Sequence, residues 1–353
     1  MTLRSYIGRV SLAAFVACLF IFTFFHDDAS SSSLMPSLAS LPRPGSTTTS
    51  SRLYSPRKFT SLRDRIQLSE FSWKRSVEQR HAMISAMPQS VVKPWPQKWT
   101  DEPGNLVMWD YFPASFSCPH DVQRVGRLGD GGKWVCGMSV YESIPVPPAW
   151  TTTFNIPSSG QDGVVVYSFG INGDSSFEAE FLERVPSARI WGFDFSVDGW
   201  GPQIGPLLAP RTFFKKAGIG AKDQPDLTTN GPLYTLQSLM AQNNHTYIDV
   251  LKIDVEGSEF KSLEAFMDHV RAVKAYAGIL PIGQVMIEIH ANEKYISFPN
   301  FRRWWERLEG MGMRATWIEL NLLRVTLFQE PKPDCTEYVW VNARDEGSKL
   351  WYE

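Results

Sequence analysis

The feature that most constrains the fold is an apolar run that ends in acidic residues. The segment Ile248–Phe260 reads Ile-Asp-Val-Leu-Lys-Ile-Asp-Val-Glu-Gly-Ser-Glu-Phe, with Asp254 and Glu256 where the apolar run stops. A run of this kind is typical of a buried parallel strand, and the residues after the glycine begin a helical pattern. Because open α/β sheets bind ligands at the carboxyl ends of their strands, two carboxylates at this place predict a ligand site.

A second strand-to-helix turn lies upstream. Val164–Phe169 predicts a strand, and Gly170 and Gly173 predict a turn that lets a ligand approach the backbone. Ser175 and Glu178 predict a capping box for the next helix. Strands and helices then alternate, which predicts a parallel sheet with crossover helices and a final antiparallel pair of strands. The other predicted strands are Arg189–Phe195, Arg211–Ala217, Ile248–Ile253, Gln284–Ile289, Arg314–Leu320 and Glu337–Val341.

The second predicted strand ends in Gly-Phe-Asp-Phe-Ser, with Asp194 at its carboxyl end. Rossmann-like sites bind ribose hydroxyls with an acid at this position, whereas the alternative is that Asp194 only caps a turn. The predicted cofactor-binding residues are therefore Gly170, Gly173, Asp174, Asp194 and Phe195.

Four titratable residues form the predicted reaction edge. Asp254 and Glu256 are two apart, and so are Glu288 and His290, so each pair faces one side of an extended strand. If the strands are neighbours, three carboxylates and an imidazole converge, and such a group must share a proton or find a cation. A general base, with Mg²⁺ or Mn²⁺ at Asp254 and Glu256, is one interpretation. A structural network in which Glu288 pairs with Lys252 or an arginine is the other.

The glycine-rich segment Leu128–Cys136 predicts a tight hairpin, with a lid over the cofactor as the alternative. A disulfide between Cys118 and Cys136 is permitted in an oxidising compartment, but their spacing does not decide it. No set of cysteines and histidines has the sequence spacing of a zinc site.

The N-terminal part predicts a membrane anchor. Val10–Phe25 is an unbroken run of apolar and small residues, and Arg4 and Arg9 before it favour a cytosolic N-terminus. A cleaved signal peptide is the alternative. Ala29–Pro56 is rich in Ser, Thr and Pro and predicts a disordered stalk. We therefore expect a type II membrane protein of the secretory pathway, in the Golgi, with a lumenal catalytic domain and Asn244 as its one Asn-x-Ser/Thr glycan site.

The net charge of −2 gives no basic field, so nucleic acid is not an expected partner. Thirteen Trp and 22 Phe supply a core for one large domain. The predicted organisation is a cytosolic N-terminus (1–9), an anchor (10–25), a stalk (26–59), a helical and Pro/Trp-rich lead-in (60–117), the main domain (118–344) and a tail (345–353).

Four segments, taken in order, resemble a known family. They are Val-Tyr-Ser-Phe-Gly-Ile-Asn-Gly-Asp, Gly-Phe-Asp-Phe-Ser, Leu-Lys-Ile-Asp-Val-Glu-Gly-Ser-Glu-Phe and Met-Ile-Glu-Ile-His. With the glycine-rich segment before them, they resemble the membrane-anchored branch of the FkbM-related methyltransferase-like proteins. The resemblance implies a Rossmann-like, seven-stranded class I methyltransferase sheet, mostly parallel with one antiparallel strand. It also implies S-adenosylmethionine against Gly170, Gly173 and Asp194, and O-methylation, often of sugar hydroxyls.

On this interpretation Asp254 or His290 is the base, while Glu256 and Glu288 orient the hydroxyl-bearing acceptor or hold a metal. Two other functions remain open. A Golgi glycosyltransferase could use Asp254-Val-Glu256 as a metal-diphosphate motif, and a noncatalytic binding module could keep the fold alone.

Overall fold

A computed structural model describes part of the chain. The described residues are 61–86, 95, 106–147, 163–227, 231–292, 294–327 and 332–351. The chain divides into two units, 1–57 and 58–353, and all described residues belong to the second. Among these residues no helix has both the length and the apolar character needed to cross a bilayer. The predicted anchor at Val10–Phe25 and the predicted stalk lie outside the described residues.

The described residues form seven α-helices and eleven strands. The helices are α1 (Leu62–Ser85), α2 (Met138–Glu142), α3 (Ser176–Arg184), α4 (Leu236–Gln242), α5 (Glu259–Ala272), α6 (Phe298–Gly310) and α7 (Leu322–Leu327). The strands are β1 (Val122–Val125), β2 (Lys133–Cys136), β3 (Val164–Phe169), β4 (Ala188–Phe193), β5 (Thr212–Lys215), β6 (Gly218–Ile219), β7 (Leu233–Tyr234), β8 (Ile248–Ile253), β9 (Ile282–His290), β10 (Met313–Leu320) and β11 (Cys335–Asn342).

Seven strands form the main sheet, in the order β10-β11-β9-β8-β3-β4-β5. The pairs from β9 through β8, β3 and β4 to β5 are parallel. Strand β11 is antiparallel to both of its neighbours, β9 and β10. The predicted mostly parallel sheet with one antiparallel strand is therefore confirmed, and so is the predicted antiparallel pair at the end of the chain.

The sheet is buried on both faces, which explains the continuous apolar runs in the sequence. All six residues of β3 and all six of β8 are buried. Along β3, Val165, Tyr167 and Phe169 belong to one hydrophobic cluster, whereas Val164 and Val166 belong to another. Because successive side chains of a strand point to opposite faces, the core consists of two layers with the sheet between them.

The glycine-rich segment forms the predicted hairpin. Strands β1 and β2 pair in antiparallel register, and Cys118 is joined to Cys136 by a disulfide. The Gln284 side chain of β9 accepts a hydrogen bond from the Cys136 amide at 2.8 Å and donates one to the Cys136 carbonyl at 3.1 Å. These contacts fix the end of β2 against the main sheet, so its side chains can reach the carboxyl edge.

The capping box predicted for α3 is wrong. The Ser175 side chain accepts a hydrogen bond from the Gly201 amide at 2.9 Å instead of capping α3. Glu178 is fully buried, accepts from Ser168 at 2.5 Å and lies 3.3 Å from the Lys252 ammonium. Because an unpaired buried ammonium costs more than a missing helix cap, Glu178 serves as the partner of Lys252.

Candidate active site

A cavity of about 840 Å³ opens at the carboxyl ends of β3, β4, β8 and β9. This volume falls within the range of about 300–1,000 Å³ that small-molecule sites occupy. Seven of the nine predicted site residues line it, namely Gly170, Asp194, Phe195, Asp254, Glu256, Glu288 and His290. Gly173 and Asp174 are not among the lining residues.

Gly170 lies where the predicted cofactor loop meets the predicted reaction edge. It follows β3 with a φ of 80°, and a Cβ built there would lie 1.8 Å from the Asp254 carbonyl oxygen. Only glycine fits such a close approach of two backbone segments. The Lys252 ammonium also donates to the Gly170 carbonyl at 2.8 Å. The glycine loop and the acidic end of β8 are therefore in direct contact.

Asp194 holds the glycine loop through its carboxylate. One oxygen accepts from the amides of Ile171 (2.8 Å) and Asn172 (2.9 Å). The other accepts from the Ser196 amide (2.7 Å) and hydroxyl (2.6 Å). Burial raises the pKa of Asp194, but the bonds from Ser196, Asn172 and Ile171 outweigh it and hold the pKa below the usual range. This is the bonding of a turn cap, and ribose recognition by Asp194 stays a prediction.

Asp174 and Phe195, the other two predicted cofactor contacts, have different surroundings. Asp174 accepts from the Ser176 amide at 2.9 Å and pairs with Arg127 of the hairpin at 3.0 Å. The structure thus turns Asp174 toward the hairpin, and its predicted cofactor contact is not supported by this placement. Phe195 is 42 % exposed and lines the cavity together with Ile219 and Leu233. These three side chains form an apolar wall.

The buried Lys133 lies at the centre of the acidic edge. Its ammonium is 3.1 Å from Asp254, 3.9 Å from Glu288 and in contact with Glu337. Its side chain is 2 % exposed. Burial alone would lower the pKa of Lys133, but the charges of Glu337, Asp254 and Glu288 outweigh it and raise the pKa. The ammonium is therefore permanent and neutralises part of the cluster.

The carboxylates around Lys133 differ in their pKa values. Burial raises the pKa of Asp254, but Lys133 and Lys252 outweigh it and hold the pKa below the usual range. Burial, reinforced by the charges of Asp254 and Glu337, raises the pKa of Glu288 to about 7. Burial also raises the pKa of Glu337, which Lys133 opposes. Asp254 is thus the carboxylate that stays ionised over the widest pH range.

His290 and Cys335 face Glu288 from the other side. The Cys335 thiol donates to Glu288 at 2.6 Å, and burial raises the pKa of that thiol. The His290 ring nitrogen Nδ1 lies 3.3 Å from the buried Glu259. Burial lowers the pKa of His290, but the Glu259 carboxylate outweighs it and raises the pKa to about 9. At neutral pH the imidazole is therefore protonated, which disfavours His290 as the base.

Glu256 does not share a face with Asp254. Strand β8 ends at Ile253, and the Ser258 amide donates to the Val255 carbonyl at 3.3 Å, which closes a turn. Glu256 has a φ of 54° in this turn and is exposed. The expectation that the chain stays extended through Glu256 is wrong, because the strand is already over. Asp254, Glu288 and His290 do converge as predicted.

Several residues of the cluster were missed by the sequence analysis, namely Lys133, Glu259, Asn321, Cys335 and Glu337. Lys133 is part of the glycine-rich segment, and Glu259 ends the Asp-Val-Glu-Gly-Ser-Glu block. These two residues could therefore have been proposed as site residues from the local motifs. Cys335 and Glu337 reach the cluster only because β11 pairs with β9. No local pattern reports that pairing.

The residues around the cavity fit S-adenosylmethionine. The apolar wall of Phe195, Ile219 and Leu233 suits an adenine ring. Gly170 and Asn172 of the loop after β3 line the cavity, so a ligand can reach the loop. The ionised carboxylate of Asp254 suits a sulfonium cation in the same cavity.

The strand order and the cavity at the carboxyl edge define a Rossmann-like sheet of the class I methyltransferase type. A methyltransferase-domain family model matches residues 66–323, well over half of the chain. The protein therefore belongs to this methyltransferase family, which implies S-adenosylmethionine as its cofactor. The family assignment favours a methyltransferase over the glycosyltransferase alternative.

Solved structures show remote likeness. The Methanococcus jannaschii fibrillarin pre-rRNA processing protein is 15 % identical, with 64 % of this chain and 100 % of that chain covered and a TM-score of 0.30. The Planctomyces limnophilus O-methyltransferase family 2 protein is 12 % identical, with 57 % and 55 % covered and a TM-score of 0.26. Bradyrhizobium japonicum N-methyltransferase NodS is 11 % identical, with 51 % and 85 % covered and a TM-score of 0.25. These values carry no argument about the substrate. A comparison with curated proteins gives no match.

Proposed function

We propose that the protein is an S-adenosylmethionine-dependent O-methyltransferase that acts on a hydroxyl group, of the kind that glycans carry. The observation that carries the proposal is the contact between Gly170 and Asp254. It brings the loop expected to hold the cofactor against the backbone carbonyl of Asp254, whose carboxylate belongs to the same cavity and can receive an acceptor proton. One cavity then serves both ligands.

Binding of the cofactor would rest on the loop backbone after β3 and on the apolar wall of Phe195, Ile219 and Leu233. When bound, S-adenosylmethionine supplies an activated methyl group on a sulfonium. The protein then needs to hold the acceptor oxygen in line and to remove its proton.

Asp254 is the residue best placed for the proton. Its carboxylate lines the cavity, is 26 % exposed and is kept ionised by Lys133. Asp254 would accept a hydrogen bond from the acceptor hydroxyl, which orients the oxygen, and would take the hydroxyl proton as the bond from oxygen to the methyl group forms. Glu288 and His290 line the same cavity and provide further polar contacts for an acceptor. These carboxylates match a hydroxyl group, because a carboxylate accepts the hydrogen bond that a hydroxyl donates.

A location in the lumen of the secretory pathway, in the Golgi, completes the proposal, with a type II anchor at Val10–Phe25. The disulfide between Cys118 and Cys136 supports it, because disulfides persist mainly in oxidising compartments. The sequon at Asn244 supports it as well.

Transfer of a labelled methyl group to hydroxyl-bearing acceptors tests the proposal. Asp254→Asn keeps the shape of the side chain and should lower turnover by about 10²–10⁴-fold, the range of general acid–base groups. Affinity for S-adenosylhomocysteine, which carries no sulfonium charge, should change little. Glu256→Gln is the matched control, because this exposed carboxylate lines the cavity without joining the Lys133 cluster.

Equal turnover of Asp254→Asn and wild type would contradict the role of Asp254. Cofactor binding without transfer to any hydroxyl acceptor would instead favour the noncatalytic module.

A further inference from the structure

We propose that Glu288, His290 and Cys335 form a transition-metal site in the lining of the cavity, with Zn²⁺ as the ion that best matches their donors. The site differs from the Asp254 and Glu256 pair that the sequence suggests. It combines a carboxylate, an imidazole and a thiol, which is the ligand set of a zinc site and not that of a magnesium site.

The register of two strands brings the three donors together. Cys335 of β11 lies directly opposite His290 of β9, and Glu288 is two residues before His290, so all three side chains share one face. One ligand atom from each lies within 4.8 Å of the others. Glu288 and Cys335 are buried and His290 is half-buried, and all three line the cavity. The sequence spacing hides this set, because Cys335 reaches it through strand pairing alone.

The groups behind the donors resemble the outer shell of a metal site. The fully buried Glu259 carboxylate lies 3.3 Å from Nδ1 of His290 and accepts from the His290 amide at 2.8 Å. This leaves Nε2 as the nitrogen available to an ion. The Asn321 side chain donates to Glu288 at 2.8 Å. A carboxylate on the second nitrogen of a histidine is the usual way in which proteins orient a metal-binding imidazole.

The neighbouring carboxylate cluster is a poorer site for an ion. Asp254, Glu288 and Glu337 also lie close together, but the Lys133 ammonium contacts them all. A cation already occupies the position that a metal would take there.

Ion binding replaces a hydrogen bond by metal–ligand bonds. In the ion-free protein the Cys335 thiol donates to Glu288 at 2.6 Å. The ion forms bonds to the sulfur, the imidazole nitrogen and the carboxylate, and the thiol proton, with any proton on the ring, passes to solvent. Three protein ligands leave a fourth position open to the cavity, as in catalytic zinc sites. On the proposed function, that position would receive the acceptor hydroxyl.

Metal titration of the purified full-length chain tests the site. After chelator treatment, Zn²⁺ is titrated in competition with a chromogenic chelator, and Co²⁺ is added separately to look for a thiolate-to-cobalt charge-transfer band. We expect one ion per chain and a band that Cys335→Ala removes. Cys335→Ala and His290→Ala should each weaken Zn²⁺ binding by more than about 100-fold, and Glu259→Gln by about 10–100-fold, the range for outer-shell partners.

Glu256→Gln is the matched control and should bind Zn²⁺ as the wild type does. Cys335→Ser, which keeps the size of the side chain, replaces Cys335→Ala if the melting temperature shows that the alanine variant does not fold. Wild-type protein that binds no Zn²⁺, or a folded Cys335 variant with unchanged affinity and an unchanged cobalt band, would overturn the site. The readouts do not involve methyl transfer, so either proposal can fail without the other.

Discussion

At the scale of single residues, one buried ammonium explains how the acidic edge can exist. Asp254 and Glu337 contact Lys133 directly, and Glu288 lies 3.9 Å from it. Uncompensated carboxylates this close together would be costly to bury, because like charges repel strongly in a low-dielectric interior. Lys133 lowers that cost, and Asp254 stays ionised beside it.

Asp194 is predicted to control cofactor affinity. Asp194→Ala removes the acceptor for two loop amides, so S-adenosylmethionine affinity should fall about tenfold or more, in line with the roughly 1.5–3 kcal/mol of a charge-assisted hydrogen bond. The melting temperature should fall as well, because the amides of Ile171 and Asn172 lose their partner. Calorimetric titration and thermal unfolding measure both effects.

Asp174→Asn is the control for this prediction, because Asp174 faces Arg127 and not the cavity. Its cofactor affinity should equal that of the wild type. If Asp174→Asn weakened binding as much as Asp194→Ala, the placement of the two acids would be contradicted.

His245 is predicted to make stability depend on pH. Its ring lies 2.8 Å from the Tyr167 hydroxyl, and burial lowers its pKa from 6.5 to about 4. Between these pH values the unfolded chain binds the proton and the folded chain does not. Stability is therefore complete above about pH 6.5 and declines as the pH falls toward 4, by about 3 kcal/mol in the limit.

Urea unfolding of wild type and His245→Gln between pH 4 and 7 measures this contribution. The variant keeps a hydrogen-bonding side chain and should show a flatter dependence of the unfolding free energy on pH. Parallel curves for the two proteins would mean that His245 is not buried in its neutral form.

At the scale of elements, the sequence predicts the buried strands well. It predicts the assembled site only in part. The predicted bounds of β3 and β8 match the structure, because strands buried on both faces are continuous apolar runs. Strand β4 ends at Phe193, two residues before its predicted end, because Asp194 turns to bind the glycine loop. Lys133 and Cys335 reach the site through the hairpin and the β9–β11 register. Such long-range pairing leaves no local signal.

The disulfide of the hairpin is predicted to stabilise the domain. Cys118 and Cys136 are 18 residues apart, and closing a loop of this length contributes about 3 kcal/mol. The double variant Cys118→Ala with Cys136→Ala should therefore unfold at a lower urea concentration. It should also lose turnover, because β2 carries Lys133 to the acidic edge.

Reduction of the wild-type protein should reproduce the loss of stability, and reductant should leave the double variant unchanged. Equal unfolding midpoints of wild type and double variant under oxidising conditions would show that the bond contributes nothing.

At the scale of the whole molecule, the two ends of the sheet have separate roles. The cavity lies at the carboxyl ends of the parallel strands, whereas Asn244 lies in an exposed turn just before β8, at the opposite end. Modification at Asn244 would therefore leave access to the cavity open. This separation suits an enzyme that carries a glycan in a lumenal compartment.

Asn244→Gln tests this arrangement together with the proposed location. In cells of the native host, the variant should lose a glycan-sized mass on gels and keep its turnover. Protease added to intact vesicles should leave the chain after Asp28 protected. Digestion of that part without detergent would contradict the lumenal location. It would not bear on the fold or on the proposed site.

The proposed function requires that the cavity beside Gly170 holds S-adenosylmethionine. Calorimetric titration of the purified full-length chain with S-adenosylhomocysteine tests it most directly, with a UDP-sugar as the comparison ligand. We expect saturable binding of one S-adenosylhomocysteine per chain, weakened by Asp194→Ala, and no heat from the UDP-sugar. Absence of S-adenosylhomocysteine binding by folded protein, with saturable binding of the UDP-sugar, would contradict it.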